Sequence, residues 1–272
     1  MSEVLYPFDP PAHRAIFLNR PTRFTANIKI EGAASLAHIN SSGRMQELLI
    51  PGRTVAVTPA GNPERKSPWN LKLVRVGSGW CSIDSMLPNR LVRAWLTEHH
   101  LEEIDDYTDV LPEVRHGDSR LDFQLTGGGR PWWIEVKSVT LAAGKWGIFP
   151  DAPTTRGAKH VRKLTKLANF GERCAIVWVM MHAEMRYCWA NALTDPDFTA
   201  AVIEARAAGV KLLAYQVAVT LRGAQFLGPR PVREPDATAM AALKNHVETY
   251  ADRPLGYTRA ERQGRPQNTA KR

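Results

Sequence analysis

The stretch SRLDFQLTGGGRPWWIEVKSVTLA, Ser119 to Ala142, decides the fold. Leu121, Phe123 and Leu125 alternate with Arg120, Asp122 and Gln124, the period of a strand with one apolar face. A second apolar run, Trp132 to Val139, follows Gly127-Gly128-Gly129 and sets Glu135 and Lys137 two residues apart on one face. The glycine turn folds Asp122 back toward that pair. Two carboxylates and an amine are therefore predicted to meet at one end of a hairpin, where charges are costly unless paired or bound to a metal. A divalent cation, Mg or Mn, relieves such a conflict by accepting oxygens from both acids. It can also polarise a phosphodiester, while a neighbouring ammonium stabilises the charge of the transition state. The competing reading is a solvated surface ion pair, worth well under ~1 kcal/mol. The apolar opposite face and the tight turn weigh against it.

Outward from the hairpin, the period changes with the neighbourhood. NRLVRAWLTEHHLEEI places Leu91, Val92, Trp95 and Leu96 on one helical face, and a short strand follows near DVLPEV. After the hairpin, residues 151–170 read as a loop and helix with Val161, Leu164, Leu167 and Ala168 as its stripe and Gly171 at its end. CAIVWVMM reads as a strand covered on both faces, DPDFTAAVIEARAAG as a helix capped by Asp195, and VKLLAYQVAV as a closing strand. That order describes a mixed sheet flanked by helices. Upstream, FTANIKI, LLIPGRTVAVTPAGNP and LKLVRV form short strands cut by turns, the pattern of a small β-barrel.

The expected organisation is α+β: a loose arm at 1–16, a barrel at 17–82, the mixed-sheet domain at 83–232, and a basic, partly disordered tail at 233–272 with a short helix over Ala237–Tyr250. The formal charge of +9 is unevenly spread, about +5 over 1–82, +1 over 83–232 and +3 beyond. An excess at the two ends suits a polyanion, DNA or RNA. Arg20, Arg23, Arg44, Arg53, Arg65 and Lys66 are the barrel's candidate phosphate contacts, each with a plain solvated charge as its alternative. Cys81, Cys174 and Cys188 lack metal or disulfide spacing. The first residues lack the basic flank and apolar stretch of a signal peptide, and no run approaches the roughly 18 apolar residues of a membrane span. A cytoplasmic location without membrane contact is expected.

The hairpin resembles the PD-(D/E)xK nuclease motif, with Asp122 and then Glu135-Val136-Lys137. More specifically, the chain resembles the bacterial sugar fermentation stimulation protein family, through NPERK (62–66), PNRLV (88–92), SRLDF (119–123), IEVKSVTL (134–141) and FPDAPTTRGAKH (149–160). PGRTV (51–55) and AGVKLLAY (208–215) also fit. The resemblance implies an N-terminal OB-like barrel, a restriction-endonuclease-like domain, and DNA binding connected with sugar-utilisation genes. It makes Asp122 and Glu135 metal ligands and Lys137 the catalytic lysine, and adds Glu113 as a further ligand, against the alternative of an exposed loop acid. It also implies Asp151, Arg156, Lys159 and His160 along the cleft, with Arg156 and Lys159 suited to phosphates and His160 a donor or a packing residue. Arg90, in PNRLV, joins the nucleic-acid contacts. Two departures from relatives are Ile39-Asn40-Ser41-Ser42-Gly43 and Ile83-Asp84-Ser85. Two functions stay open, a metal-dependent nuclease and a non-catalytic DNA-binding regulator. A sugar-processing enzyme has little support, since neither a hydrolase carboxylate pair nor a phosphate-binding glycine loop stands out.

Overall fold

The computed structural model describes residues 5–62, 64–251 and 253. A short strand, β1 (Leu5–Pro7), precedes β2 (His13–Thr22), β3 (Thr25–Ile30), β4 (Ala33–Ile39), β5 (Thr54–Pro59) and β6 (Trp69–Val76). Strands β2 to β6 pair in the order β4-β3-β2-β5-β6, and a parallel β4–β6 pairing closes them into a barrel. Closure leaves no edge to solvate and turns Phe17, Ile28, Ile39, Val55, Leu71 and Leu73 inward, all buried.

After β7 (Gly79–Ser82) come α1 (Leu87–Thr97), β8 (Asp109–His116), β9 (Ser119–Thr126) and β10 (Trp132–Val139). Next are β11 (Leu141–Ala143), β12 (Trp146–Phe149), α2 (Thr155–Asn169), β13 (Arg173–Met180) and β14 (Tyr187–Ala190). The described chain closes with α3 (Pro196–Ala207), β15 (Lys211–Thr220), β16 (Gly223–Arg230) and α4 (Ala237–Ala251). The second half is the expected mixed sheet, ordered β7-β15-β13-β10-β9-β8. Strand β10 is parallel to β13 and β13 to β15, while β8, β9 and β10 run antiparallel. Strand β7 pairs with barrel strand β6 and, at Trp80–Val219, with β15, so barrel and mixed sheet share one hydrogen-bonded surface.

Packing follows the same continuity. One core runs from Val55 and Leu73 in the barrel through Trp95 of α1 to Ile134 and Tyr215 in the mixed sheet. A second lies beneath α2 and α3, where Val161, Leu164 and Phe198 meet Trp133, Ile176 and Trp178. Asp195 ties the two helices together. One carboxylate oxygen caps α3 at Phe198 N (2.9 Å), and the other accepts from Thr154 N (2.6 Å), whose residue is the N-cap of α2. The triple-glycine turn is required sterically, because a Cβ on Gly128 would stand 2.1 Å from the Asp106 carbonyl oxygen.

Several elements differ from the reading of the sequence. Residues 5–16 are not a loose arm, since β1 pairs with β16 and β2 begins at His13. Strand β16 and the small sheet β11-β12-β14 were unexpected, the latter because its strands are only three or four residues long, too short to show a period. Beyond residue 233, α4 forms as expected and buries Leu243 in the second core. The disorder expected of the tail concerns residue 252 and residues 254–272, which lie outside the described residues. Among the described residues no helix is long and apolar enough to cross a membrane.

Candidate active site at the split between β9 and β10

The β9–β10 ladder pairs Trp132 with Leu125, Trp133 with Gln124 and Ile134 with Phe123, and stops there. At the next position the strands part. The Asp122 carboxylate occupies the gap, accepting the Val136 backbone N–H at 2.7 Å with one oxygen and Asn89 Nδ2 at 2.9 Å with the other. Asn89 reaches it from α1. Strand β10 is meanwhile covered on both faces, so Glu135 is buried. Its Oε1 accepts from the Lys137 ammonium and lies 2.7 Å from His160 Nδ1 on α2. Its Oε2 is equally buried and has no hydrogen-bond partner.

The electrostatics of the two acids differ. Burial, and then the Glu135 charge, push the Asp122 carboxyl above its ordinary range against the pull of Lys137 and the two N–H donors. Burial acts to raise Glu135 as well, but the Lys137 ammonium and the His160 hydrogen bond outweigh it and hold the carboxyl below that range. A buried carboxylate oxygen without a donor, beside a second acid whose charge is disfavoured, fits a divalent cation. Asp122 and Glu135 would hold it. Among the described residues no group of three His, Cys, Asp or Glu could hold a metal ion, so further ligands would be other oxygens, from backbone carbonyls, water or substrate.

Glu113, expected as a third ligand, is not brought in. It faces Asp122 in the β8–β9 register, between Pro112–Phe123 and Val114–Leu121, but its backbone is left-handed (φ 57°). Its half-exposed carboxylate pairs with Arg120 at 2.7 Å. His160 also needs correction as a nucleic-acid contact. It lies on the buried stripe of α2 with Gly157, Val161 and Leu164, so it can orient Glu135 but does not present itself to a polyanion.

The remaining cations fall into two groups. Arg156 and Lys159 are exposed on α2, the helix that carries His160, with Lys159 pairing with Asp118 at 2.8 Å. Arg90 is exposed but pairs with the buried Asp84 at 2.8 Å, which also holds Lys72 at 2.7 Å. Lys66 is exposed, and Arg65 donates to Asn70 at 3.2 Å. Arg20 is buried against the carbonyls of Arg23, Gly43 and Arg44, and Arg53 donates to those of Glu47 and Leu48, which makes both of them loop braces.

Asp151 accepts the Met45 N–H at 3.1 Å, joining the loop before α2 to the barrel. A cavity of about 210 Å³ lies there, lined by Arg23, Ser41 and Ser42 from the barrel and by Ser138, Thr140 and Thr154 from the other half. Ser138 follows Lys137 on β10 but alternates to the opposite face of the strand, and none of Asp122, Glu135 and Lys137 lines this cavity. Asn89 is a residue of the cluster that the sequence pattern did not single out. It stood within PNRLV, but helical spacing alone gave no link to Asp122, 33 residues away.

Comparisons with known proteins agree with this architecture. The model of the SfsA N-terminal OB domain matches residues 18–83, and that of the sugar fermentation stimulation protein RE domain matches residues 86–223. A sugar fermentation stimulation protein homolog of Moorella thermoacetica is 43% identical over 205 residues, covering 75% of this chain and 88% of its own. One from Desulfitobacterium hafniense is 37% identical over 204 residues, with 75% and 88% covered. Among solved structures, Pyrococcus furiosus SfsA in complex with Ca²⁺ superposes with a TM-score of 0.77 at 28% identity, covering 82% of this chain and 96% of that one.

Proposed function

The chain belongs to the sugar fermentation stimulation protein family, and from that premise we propose that it binds DNA across the cleft between barrel and mixed sheet and hydrolyses phosphodiester bonds there with Mg²⁺ or Mn²⁺. The observation that carries this reading is the buried, unpartnered Glu135 Oε2 beside Asp122. The Ca²⁺ complex of the Pyrococcus relative lends support. A divalent cation on these two acids supplies Lewis acidity toward a bound phosphate. The protein's own groups do the rest. Asn89 and the Val136 N–H fix the Asp122 carboxylate, and His160 fixes Glu135. The Lys137 ammonium uses one of its three donors on Glu135, leaving two for the attacking water or the developing negative charge. Arg156 and Lys159 stand at the N-terminal end of α2, where they can position flanking phosphates.

A second reading has its own observation. Lys137 already neutralises Glu135 within the cluster, and no third protein ligand joins the two acids among the described residues. On that reading the scaffold is a DNA-binding regulator of sugar-utilisation genes without turnover. Incubating supercoiled plasmid with the protein separates them. Nicking that requires Mn²⁺ or Mg²⁺ and disappears in Asp122→Ala supports the nuclease. Undiminished cutting by that variant ends the proposed site, and binding without metal-dependent cutting favours the regulator.

A further inference from the structure

An exposed aromatic ring beside a cation is a physical device for holding an unpaired base, and the barrel carries one that neither the sequence reading nor the acid cluster explains. Phe24, in the turn between β2 and β3, is 45% exposed. Its ring stacks on His38 of β4, with centroids 6.4 Å apart and planes at 28°. The backbone holds the pair in place, since Thr25 faces His38 across the β3–β4 ladder and Ile39 N donates to the Phe24 carbonyl at 2.9 Å. Arg23 lies with its guanidinium carbon 5.6 Å from the Phe24 ring centre, fastened by a 2.8 Å hydrogen bond to the Ser42 carbonyl. Burial, and then the charge of nearby Arg65, push the His38 imidazole below its ordinary value.

A lone exposed Phe would call for no explanation. Here a two-ring stack has the Arg23 guanidinium beside it. Arg23 also lines the 210 Å³ cavity at the junction of barrel and mixed sheet. Base stacking on an aromatic ring is available only to a base that has left its duplex, because paired bases already cover both faces with their neighbours.

We propose that Phe24, backed by His38 and flanked by Arg23, is a stacking platform for an unpaired base, and that single-stranded DNA is the polymer the cleft receives. The inference rests on the proposed DNA-binding function and names its substrate class.

The test is fluorescence anisotropy with a labelled single strand, the same sequence as a duplex, and an RNA strand of that sequence. EDTA keeps any metal-dependent cleavage out of the measurement. Wild type, Phe24→Ala and Phe24→Trp are compared. The expected result is single-strand DNA affinity about tenfold weaker for Phe24→Ala, restored by Phe24→Trp, with duplex affinity unchanged. Equal single-strand affinity for wild type and Phe24→Ala overturns the platform. So does an equal loss on strand and duplex, and a loss confined to RNA overturns the choice of DNA. Normal duplex binding with no single-strand effect sinks this inference alone, whereas wild type binding no DNA sinks the function beneath it as well.

Discussion

In the barrel, Arg20 and Arg53 direct their guanidinium groups at backbone carbonyls, and Arg23 does the same while lying 5.6 Å from the Phe24 ring centre. In the mixed-sheet half, Glu135, Lys137 and His160 direct their polar groups at one another and leave a carboxylate oxygen over. The barrel uses charge to fasten its loops, since a carbonyl oxygen is a complete partner for an N–H donor. The sheet concentrates charge around a vacancy in its hydrogen bonding. The difference comes from backbone geometry. Barrel strands close and satisfy one another, whereas β9 and β10 part at Asp122 and need a side chain to bridge the split.

That contrast can be broken most sharply at the split. Asp122→Ala should lower metal-dependent cleavage on the order of a thousandfold, measured as initial nicking rate, since it removes a proposed metal ligand and leaves the Val136 N–H unpaired. Residual cleavage near wild type would mean that the sheet's charges, like the barrel's, are only structural. His160→Ala and Asn89→Ala act through the acids they orient. Each should weaken Mn²⁺ binding by about ten- to a hundredfold in calorimetric titration, the usual range for groups that hold metal ligands in place. Glu135→Ala should also cost about 3 kcal/mol of stability in urea unfolding, because Lys137 and His160 would be left buried without their partner.

The seam between the two regions has its own titration. Burial, and then the Asp151 charge, push the Glu47 carboxyl up to about 8. A folded value above the unfolded one means that the unfolded chain holds fewer protons across the interval, so stability is full below it and is lost as pH rises toward about 8. Urea unfolding should show that decline, and Glu47→Gln should flatten it. An unchanged slope would place the proton elsewhere. The smallest effect belongs to the exposed barrel cations. Lys66→Ala should leave stability within ~0.5 kcal/mol and reduce the salt slope of DNA affinity by about one. A larger stability loss would show Lys66 to be a loop brace like Arg20.

Much of the site was legible beforehand. Strand period placed Glu135 and Lys137 on one face, and a glycine turn was enough to bring Asp122 near them. What failed was any inference that needed the third dimension around a side chain. Glu113 stands at the expected register but its left-handed backbone goes with a carboxylate turned to Arg120. His160 lies among cationic neighbours in sequence, yet the 3.6-residue repeat of α2 puts it on the buried stripe. Arg20 looks like a phosphate contact until the carbonyls of the Arg23 and Gly43-Arg44 segments are seen to surround it.

The amino-acid order by itself determined the barrel, the mixed sheet and the proximity of two acids and a lysine, because alternation, helical stripes and turn residues act over a few neighbouring positions. Tertiary structure alone decided which charges are braces and which form the site. Asn89 comes to Asp122 from α1, His160 to Glu135 from α2, and Asp151 to Met45 across the seam. Such partners lie 25 to 106 residues apart, and their meeting depends on how helices pack on a twisted sheet, which no local pattern encodes.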